Sequence, residues 1–393
     1  EPRWISDYHH PFLKQIPAIM HQRNFHKELN IIFHHPGPIT SNGLTGSQVR
    51  PFKILSAFRA LGINVEIVVG DWSERKKAIS QIKYDIRNGK RFDFVYSENR
   101  TIPFAMTEQH RLPIHPLLDH RFLAFCSQNS IHVAMFYRDI FWRDVSYRSM
   151  LPMWGRMITI PLYWFDWFYH TRYIDTLYLP SMGMEKALPT VRGKMELKAL
   201  PPGADIRPPG QSHNNEPTEG KIRILYVGGL EPPTYDLTPL LQSVYNSPST
   251  ELTICCREPE WLKHRSRYNH LITERVKVVH ASGSGLDELY AASDVHAIIR
   301  NTTRYLDFAV PVKLFETVTH QTPVISTPGT EAARIVEAHN LGWVCDLDQI
   351  PRLLEELAQQ PERIEAKRMA MAREIHNLTW EARVRQIVHD ILK

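Results

Sequence analysis

The most constraining feature of this sequence is a regular alternation of short apolar runs with longer segments of helical periodicity. The apolar runs lie at residues 29–34, 64–69, 92–96, 132–136 and 174–179 in the first half, and at 222–227, 251–256, 276–280, 294–299 and 323–326 in the second. Runs that are apolar on both faces are typical of buried parallel strands, which need crossover connections that are usually helical. The sequence therefore predicts an α/β fold.

The length fits two domains joined by a linker. The chain has 393 residues, and residues 206–220 are polar and rich in Pro and Gly, as linkers are. We therefore expect a first domain at 1–205, a linker at 206–220 and a second domain at 221–377. Residues 1–27 show no clear periodicity, and we expect an irregular leader there.

The charge is mildly positive, with 47 Lys and Arg against 42 Asp and Glu and a net charge of +5. This excess does not indicate a nucleic-acid partner, and it fits an anionic small molecule or an anionic membrane surface. The four cysteines form no C-x-x-C pair, so we expect reduced, buried thiols in a cytosolic protein. We expect neither a signal peptide nor a spanning helix, because no run of 18 apolar residues occurs.

A lysine near the start of a predicted helix marks a candidate phosphate site. Pro311 suits the first helical position, and the helix should end near His320. Lys313 falls in the first turn, where the helix dipole is already positive, so a cation there suggests a bound anion. Glu316, three residues on, places a carboxylate that could bind hydroxyl groups beside it. The alternative is a solvated lysine and a surface glutamate.

A glycine-rich loop follows the first predicted strand. It contains Gly43, Gly46 and Ser47, and Ser47 can cap a helix over residues 48–62. The first βαβ unit of a doubly wound sheet is where such a fold binds its ligand, although the dinucleotide pattern G-x-G-x-x-G is absent. In the second half, Gly229 would let the backbone approach a diphosphate closely. Arg257, after the strand at 251–256, is a candidate phosphate or base contact.

Residues 142–170 combine many aromatic side chains with interleaved arginines. Pro161 and Asp166 are expected to break the run. One interpretation is an interfacial surface at the level of lipid headgroups. The other is a large helical core layer that buries Trp154, Trp164 and Trp167.

The pattern Pro-x-Lys-x-x-Glu at 311–316, followed by Thr-Pro-Val-Ile-Ser-Thr at 322–327, resembles the donor-binding region of GT-B glycosyltransferases. The resemblance is strongest to family 4, whose members are retaining and depend on nucleotide sugars. It implies two Rossmann-like domains facing across a cleft, with the acceptor bound by the first and the nucleotide sugar by the second. It also implies that a helix at 378–393 returns to the first domain.

The resemblance assigns roles in donor binding. Lys313 and Arg257 would bind the diphosphate, Glu316 would bind the ribose, and the loop at 43–47 would close over the donor from the other domain. Gly229 would lie beside the diphosphate.

The match to the family is incomplete at one position. Many members have two glutamates with seven residues between them, and here Glu316 matches the second while Phe308 stands at the first. The neighbouring Asp307 is the candidate replacement, and we assign Tyr305, in the same stretch, to the donor site as well.

A second family motif concerns the sugar. In family 4 a strand at the position of residues 132–136 often leads to a His-Asp pair that faces the sugar. Asp139 matches the aspartate and Arg138 replaces the histidine. Asp139 is therefore a candidate catalytic residue, together with Glu316, and a helix-capping aspartate is the alternative. If the reaction inverts configuration, Asp139 or Glu98 becomes the candidate general base.

The predicted function is transfer of a hexose-type sugar from a UDP- or GDP-sugar to a glycan or lipid-linked acceptor, with retention. No D-x-D metal signature stands out, so we expect neither a metal nor another cofactor. We expect a cytoplasmic protein, attached peripherally at the inner face of the plasma membrane. One alternative is a nucleotide- or carbohydrate-binding protein without activity. Another is a GT-B epimerase or phosphorylase, although no lysine motif for pyridoxal phosphate is visible.

Overall fold

The computed structural model describes residues 28–40, 46–144, 147, 151–191, 193–207, 220–232, 235–300 and 307–393. The strands within them form two sheets of six strands each. Neighbouring strands are parallel throughout both sheets. The α/β class predicted from the apolar runs is confirmed.

The first sheet has the strand order β2-β1-β3-β4-β5-β6. Its strands are β1 (Asn30–His34), β2 (Asn64–Val68), β3 (Phe94–Glu98), β4 (His132–Phe136), β5 (Thr176–Leu179) and β6 (Glu196–Ala199). The helices between them are α1 (Gly46–Ala60), α2 (Trp72–Arg87), α3 (Leu118–Gln128) and α4 (Met153–Tyr173). Short 3-10 helices occupy Phe104–Met106, Phe141–Arg143 and Met182–Ala187.

The second sheet has the strand order β12-β11-β10-β7-β8-β9. Its strands are β7 (Ile222–Val227), β8 (Thr250–Cys255), β9 (Val276–Val279), β10 (Val295–Ile298), β11 (Val324–Ser326) and β12 (Gly342–Val344). Its helices are α5 (Thr238–Asn246), α6 (Glu258–Tyr268), α7 (Ser284–Ala291), α8 (Val312–Thr319), α9 (Glu331–Ala338), α10 (Ile350–Gln359) and α11 (Glu362–Glu374). The last helix, α12, spans Trp380–Ile391, and 3-10 turns occupy Asn269–Leu271 and Ile375–Asn377.

Some element bounds differ from the prediction. α2 begins at Trp72, because Asp71 caps it. The Asp71 carboxylate accepts hydrogen bonds from the backbone of Ser73 and Glu74, and the Glu74 side chain accepts from the Asp71 N–H. α1 begins at Gly46, one residue before the predicted cap at Ser47.

The last helix covers the first sheet. α1 and α12 lie on one face, where Phe33 of β1, Phe58 of α1 and Trp380 of α12 share one buried cluster. α2, α3 and α4 cover the opposite face, which buries Phe122 and Trp167. The chain thus crosses back from the second sheet to complete the core of the first. The domain boundaries at 205, 220 and 377 remain predictions.

Phe308 links the two halves of the molecule. Although it precedes α8, its side chain is only 7% exposed and packs with Met184 in the core of the first sheet. Ser181 Oγ donates a hydrogen bond of 2.8 Å to the Phe308 carbonyl. An added Cβ on Gly183 would come within 3.2 Å of the Phe308 Cβ, so a small residue favours this approach. An apolar side chain suits this buried position better than the glutamate of the family pattern would.

α4 divides its aromatic residues between two faces. Tyr163 and Trp167 are buried in the core of the first sheet. Trp154, Trp164 and Phe168 are 70%, 46% and 52% exposed. The core interpretation is therefore correct for Trp167 and wrong for Trp154 and Trp164.

α4 runs without a break through Pro161 and Asp166. Asp166 is buried but accepts hydrogen bonds of 2.9 Å from the His120 ring and from the Phe104 backbone N–H. These partners satisfy the carboxylate inside the helix. Across the described ranges, no helix combines the length and the apolar character needed to cross a membrane.

The four cysteines are free thiols, and the predicted burial is correct for three of them. Cys126, Cys255 and Cys256 are buried, and Cys345 is partly exposed. Burial raises the pKa of Cys256 to about 12, so this thiol stays protonated at neutral pH.

Candidate functional site

A cavity opens at the carboxyl ends of the strands of the second sheet. The chain leaves β7 toward β8 and β9 on one side and later places β10 on the other, so the topological switch point lies between β7 and β10. A cavity of about 610 Å³ occupies this point, lined by Gly228 and Gly229 after β7 and by Ile299 and Arg300 after β10. Open α/β sheets bind their ligands at such a crevice.

Elements of the first half of the chain close the cavity from the other side. Val49 and Lys53 of α1 line it, as does Trp380 at the start of α12. Lys53 Nζ forms an ion pair of 2.8 Å with Asp205, which also lines the cavity. The cavity is therefore bounded by both halves of the chain, and it has the size of an ordinary small-molecule site.

Lys313 and Glu316 project into the cavity from α8. Pro311 is the residue before the helix, with extended backbone, rather than its first helical residue as predicted. Lys313 Nζ lies 2.6 Å from Glu316 Oε2, and the two side chains are 34% and 31% exposed. The pair brings a cation and a carboxylate to the N-terminal part of a helix, where backbone N–H groups also favour an anion. The structure brings the two predicted residues together.

Arg300 is a functional candidate that the sequence reasoning missed. It lines the cavity directly after β10, and its guanidinium lies 5.6 Å from the centroid of the Tyr235 ring. Its backbone N–H donates to Thr327 Oγ1 at 3.0 Å. Arg300 reaches the cavity because β10 pairs with β7. This pairing joins strands that are far apart in the sequence, so no local sequence motif indicates it.

Three further side chains that the sequence reasoning missed line the closed end of the cavity. The Tyr290 ring stacks on the His320 ring with centroids 4.3 Å apart, and the His296 ring lies 5.6 Å from Tyr290. Burial, and then the charges of Lys313 and His320, lower the pKa of His296 to about 3. His296 is therefore neutral at physiological pH and can donate one hydrogen bond and accept another.

The other predicted donor residues of the second half lie in different surroundings. Gly229 lines the cavity, and an added Cβ there would come within 3.3 Å of the Glu260 carboxylate. Arg257 pairs with Glu260, and its side chain is 73% exposed outside the cavity lining. The Asp307 carbonyl accepts a 2.7 Å hydrogen bond from Glu331 N, and Asp307 does not line the cavity.

Asp139 makes a local hydrogen bond to the backbone. Its Oδ1 accepts a hydrogen bond of 3.1 Å from the Phe141 backbone N–H, at the start of a 3-10 helix. Burial raises its pKa, although this hydrogen bond and the Arg138 charge oppose the shift. It does not line the cavity. Asp139 thus stands one residue before the N-cap, which is Ile140, and contact with a sugar stays a prediction.

Several predicted positions cannot be placed. Gly43 and Tyr305 lie outside the described residues. Gly46 and Ser47 begin α1, but their surroundings are likewise outside the description. The described ranges contain no group of three or more His, Cys, Asp or Glu side chains arranged to hold a metal ion.

Comparison with known proteins identifies structures of similar fold but no protein of similar sequence. No protein-family model matches the chain, and no curated protein matches it either. HepE from Anabaena, in a complex with UDP and glucose, matches with a TM-score of 0.58 at 12% identity over 93% of this chain and 99% of HepE. An α-glucosyltransferase in complex with UDP and DNA matches with a TM-score of 0.60 at 12% identity, over 93% of this chain and 99% of the other.

A third match is WaaG, a glycosyltransferase involved in lipopolysaccharide biosynthesis, with a TM-score of 0.54 at 14% identity. The likeness covers 91% of this chain and 99% of WaaG. At these identities the matches bear on the fold alone. The chain has the GT-B fold, with two Rossmann-like halves facing across a cleft.

Proposed function

We propose that this protein is a glycosyltransferase that takes a sugar from a nucleotide-sugar donor. The observation that carries the proposal is the convergence of Lys313, Arg300 and the start of α8 on the cavity at the switch point of the second sheet. Two cations and a helix N-terminus suit a diphosphate. HepE and the α-glucosyltransferase, which share the fold, were both seen with UDP.

In the proposed reaction the protein stabilises the departing nucleoside diphosphate. Lys313, Arg300 and the α8 dipole would face the negative charge that develops on the diphosphate as the sugar leaves. Glu316 would accept a hydrogen bond from the ribose. The donor would be a UDP- or GDP-hexose. The resemblance to family 4 supports retention, with the diphosphate accepting the acceptor's proton on the same face and Asp139 contacting the sugar.

The cations of the site make a metal unnecessary in this proposal, and no other cofactor takes part. Activity should therefore survive EDTA, and a dependence on Mg²⁺ would contradict this part. Proton NMR of the product reports the anomeric configuration, and an inverted product would contradict retention.

A thermal-shift panel of UDP, GDP, ADP and dTDP tests the proposal. A nucleotide that binds only the folded protein, at a hundredfold over its Kd, stabilises it by about 2.7 kcal/mol. We expect UDP or GDP to raise the Tm and the others to leave it unchanged. The absence of a shift with all four at millimolar concentration would count against a nucleotide site.

A second candidate is a nucleotide-binding GT-B protein without activity. It is favoured by Phe308, which occupies the position of the first family glutamate and is buried in the core of the first sheet. No carboxylate from that position can reach a bound sugar. Turnover of the donor whose nucleotide binds would decide, since the inactive alternative predicts binding with neither transfer nor hydrolysis.

We further propose a lipid-linked or membrane-proximal acceptor and peripheral attachment at the inner face of the plasma membrane. The exposed residues Met153, Trp154, Met157, Trp164 and Phe168 recur at helical spacing on the outer face of α4. Aromatic residues favour the headgroup level, and arginines add attraction to anionic lipid. The arginines of this helix include Arg156 and Arg172.

Liposome co-sedimentation tests the attachment. The double variant Trp154→Ser/Trp164→Ser should fold normally, because both residues are exposed, and lose binding to phosphatidylglycerol vesicles. Trp167→Ser removes a buried tryptophan of the same helix and should instead destabilise the protein by about 3–5 kcal/mol. Wild-type protein that ignores anionic vesicles at low salt would favour a soluble acceptor.

A further inference from the structure

The closed end of the cavity holds polar atoms that the folded protein leaves unused. Tyr290 and His296 are 0% and 1% exposed. The Tyr290 hydroxyl and both ring nitrogens of His296 have no hydrogen-bond partner in the described part of the chain. Buried polar groups are nearly always paired, and leaving them unpaired is costly. Three such atoms, on two side chains whose residues line one cavity, point to a ligand.

The neighbouring groups indicate which part of a ligand reaches them. The Glu316 carboxylate lies close enough to Tyr290 that its charge, after burial, raises the pKa of the phenol. Lys313 lies on the other side of Glu316, bonded to its Oε2. A nucleoside diphosphate with its phosphates at Lys313 would therefore place the adjoining ribose beside Glu316 and Tyr290.

The hydrogen-bonding capacity of Tyr290, His296 and Glu316 also matches that of a ribose. Each ribose hydroxyl both donates and accepts a hydrogen bond. The ionised Glu316 only accepts, whereas a phenol and a neutral imidazole can each do both. The lowered pKa of His296 keeps its ring in that neutral form.

Building on the nucleotide site proposed above, we propose that Tyr290 and His296 bind the vicinal hydroxyls of the donor ribose together with Glu316. The stack of Tyr290 on His320 fixes the plane of the phenol ring. The site would thereby prefer a ribonucleotide over its deoxy form.

Titration calorimetry with UDP and GDP, each beside its 2′-deoxy and 3′-deoxy form, tests this assignment. We expect the wild type to bind the ribonucleotide at least tenfold more tightly than one of the deoxy forms. Tyr290→Phe should weaken ribonucleotide binding about tenfold, the equivalent of one hydrogen bond, and leave the affinity for that deoxy form unchanged. The matched control Tyr235→Phe alters a tyrosine that lines the cavity beside Arg300, and it should keep the wild-type preference.

A stability measurement separates binding from a structural role. Removing an unpaired buried hydroxyl should leave the Tm of the free protein unchanged or raise it, whereas removing a structural hydrogen bond would lower it. His296→Phe should also reduce the preference for the ribonucleotide over its deoxy form. If His296→Phe does not fold, the isosteric Tyr290→Phe variant tests the assignment by itself. A wild-type preference retained by Tyr290→Phe overturns this inference and leaves the nucleotide site standing. Failure of the wild type to bind any of the six nucleotides overturns the proposed function itself.

Discussion

Lys313→Ala is the substitution that most directly tests the proposed diphosphate site. In the free protein Lys313 pairs with Glu316 at 2.6 Å, and both side chains are about one third exposed. Such a helical pair contributes only about 0.3–0.5 kcal/mol to stability. Its loss is further offset because a cation in the first turn opposes the helix dipole. The free energy of unfolding should therefore change by less than about 0.5 kcal/mol.

Nucleotide binding should change much more. A hydrogen bond to a charged group contributes about 1.5–3 kcal/mol, from which the roughly 0.5 kcal/mol of the Glu316 pair that is given up must be subtracted. The remaining 1–2.5 kcal/mol corresponds to an increase in Kd of about 5- to 70-fold. Titration calorimetry with the nucleoside diphosphate that stabilises the wild type measures this change directly.

A matched control exists on α6. Lys263 pairs with Glu231 at 2.8 Å, is 61% exposed and does not line the cavity. Lys263→Ala therefore removes the same charge and a similar ion pair outside the cavity lining, and its Kd should equal that of the wild type. A Kd for Lys313→Ala within twofold of the wild type would refute the placement of the diphosphate. Equal weakening in both variants would point to the net charge of the protein instead.

Two other predictions concern stability. Phe308→Ala should lower the free energy of unfolding by about 3–5 kcal/mol in denaturant titration, because it leaves a cavity in the core of the first sheet. Phe168→Ala, at a 52% exposed position, should change it by no more than about 0.5 kcal/mol, and equal effects would contradict the buried place of Phe308. Burial lowers the pKa of His35 and of His296 to about 3, so below pH 6.5 the unfolded chain binds more protons than the folded one. The free energy of unfolding should therefore be highest above pH 6.5 and fall on acidification toward pH 3, by about 1.4 kcal/mol per pH unit for each histidine. Identical urea midpoints at pH 7.5 and pH 5.5 would contradict this prediction.

The sequence predicted the elements whose signals are local. Buried strands such as β4 are apolar runs between polar segments, and the prediction matches the observed bounds of β4, His132–Phe136. It missed β6 and β12, which have four and three residues, lie at sheet edges and are mostly only partly buried. Short edge strands carry little apolar patterning because one side faces solvent.

The residues of the candidate site also divide into those that a local sequence pattern predicts and those that it does not. Lys313 and Glu316 could be found because proline, lysine and glutamate at helical spacing form a local pattern. Arg300 and His296 acquire their place only because β10 lies beside β7, which is a property of sheet order. Phe308 could not be predicted in the core of the first sheet, since its partners there lie more than a hundred residues away.

The return of α12 to the first sheet has a consequence for biosynthesis. Trp380 and Val384 complete the apolar cluster around Phe33, so roughly 350 residues separate the parts of this one core. At a ribosomal speed of about 5–20 residues per second, β1 emerges roughly 20 to 70 s before its cover is made. During that time one face of the nascent sheet exposes Phe33 and Phe58 without α12, and chaperones have reason to bind it. A ribosome that stalls anywhere before Trp380 leaves the half of the molecule that was made first without its finished core.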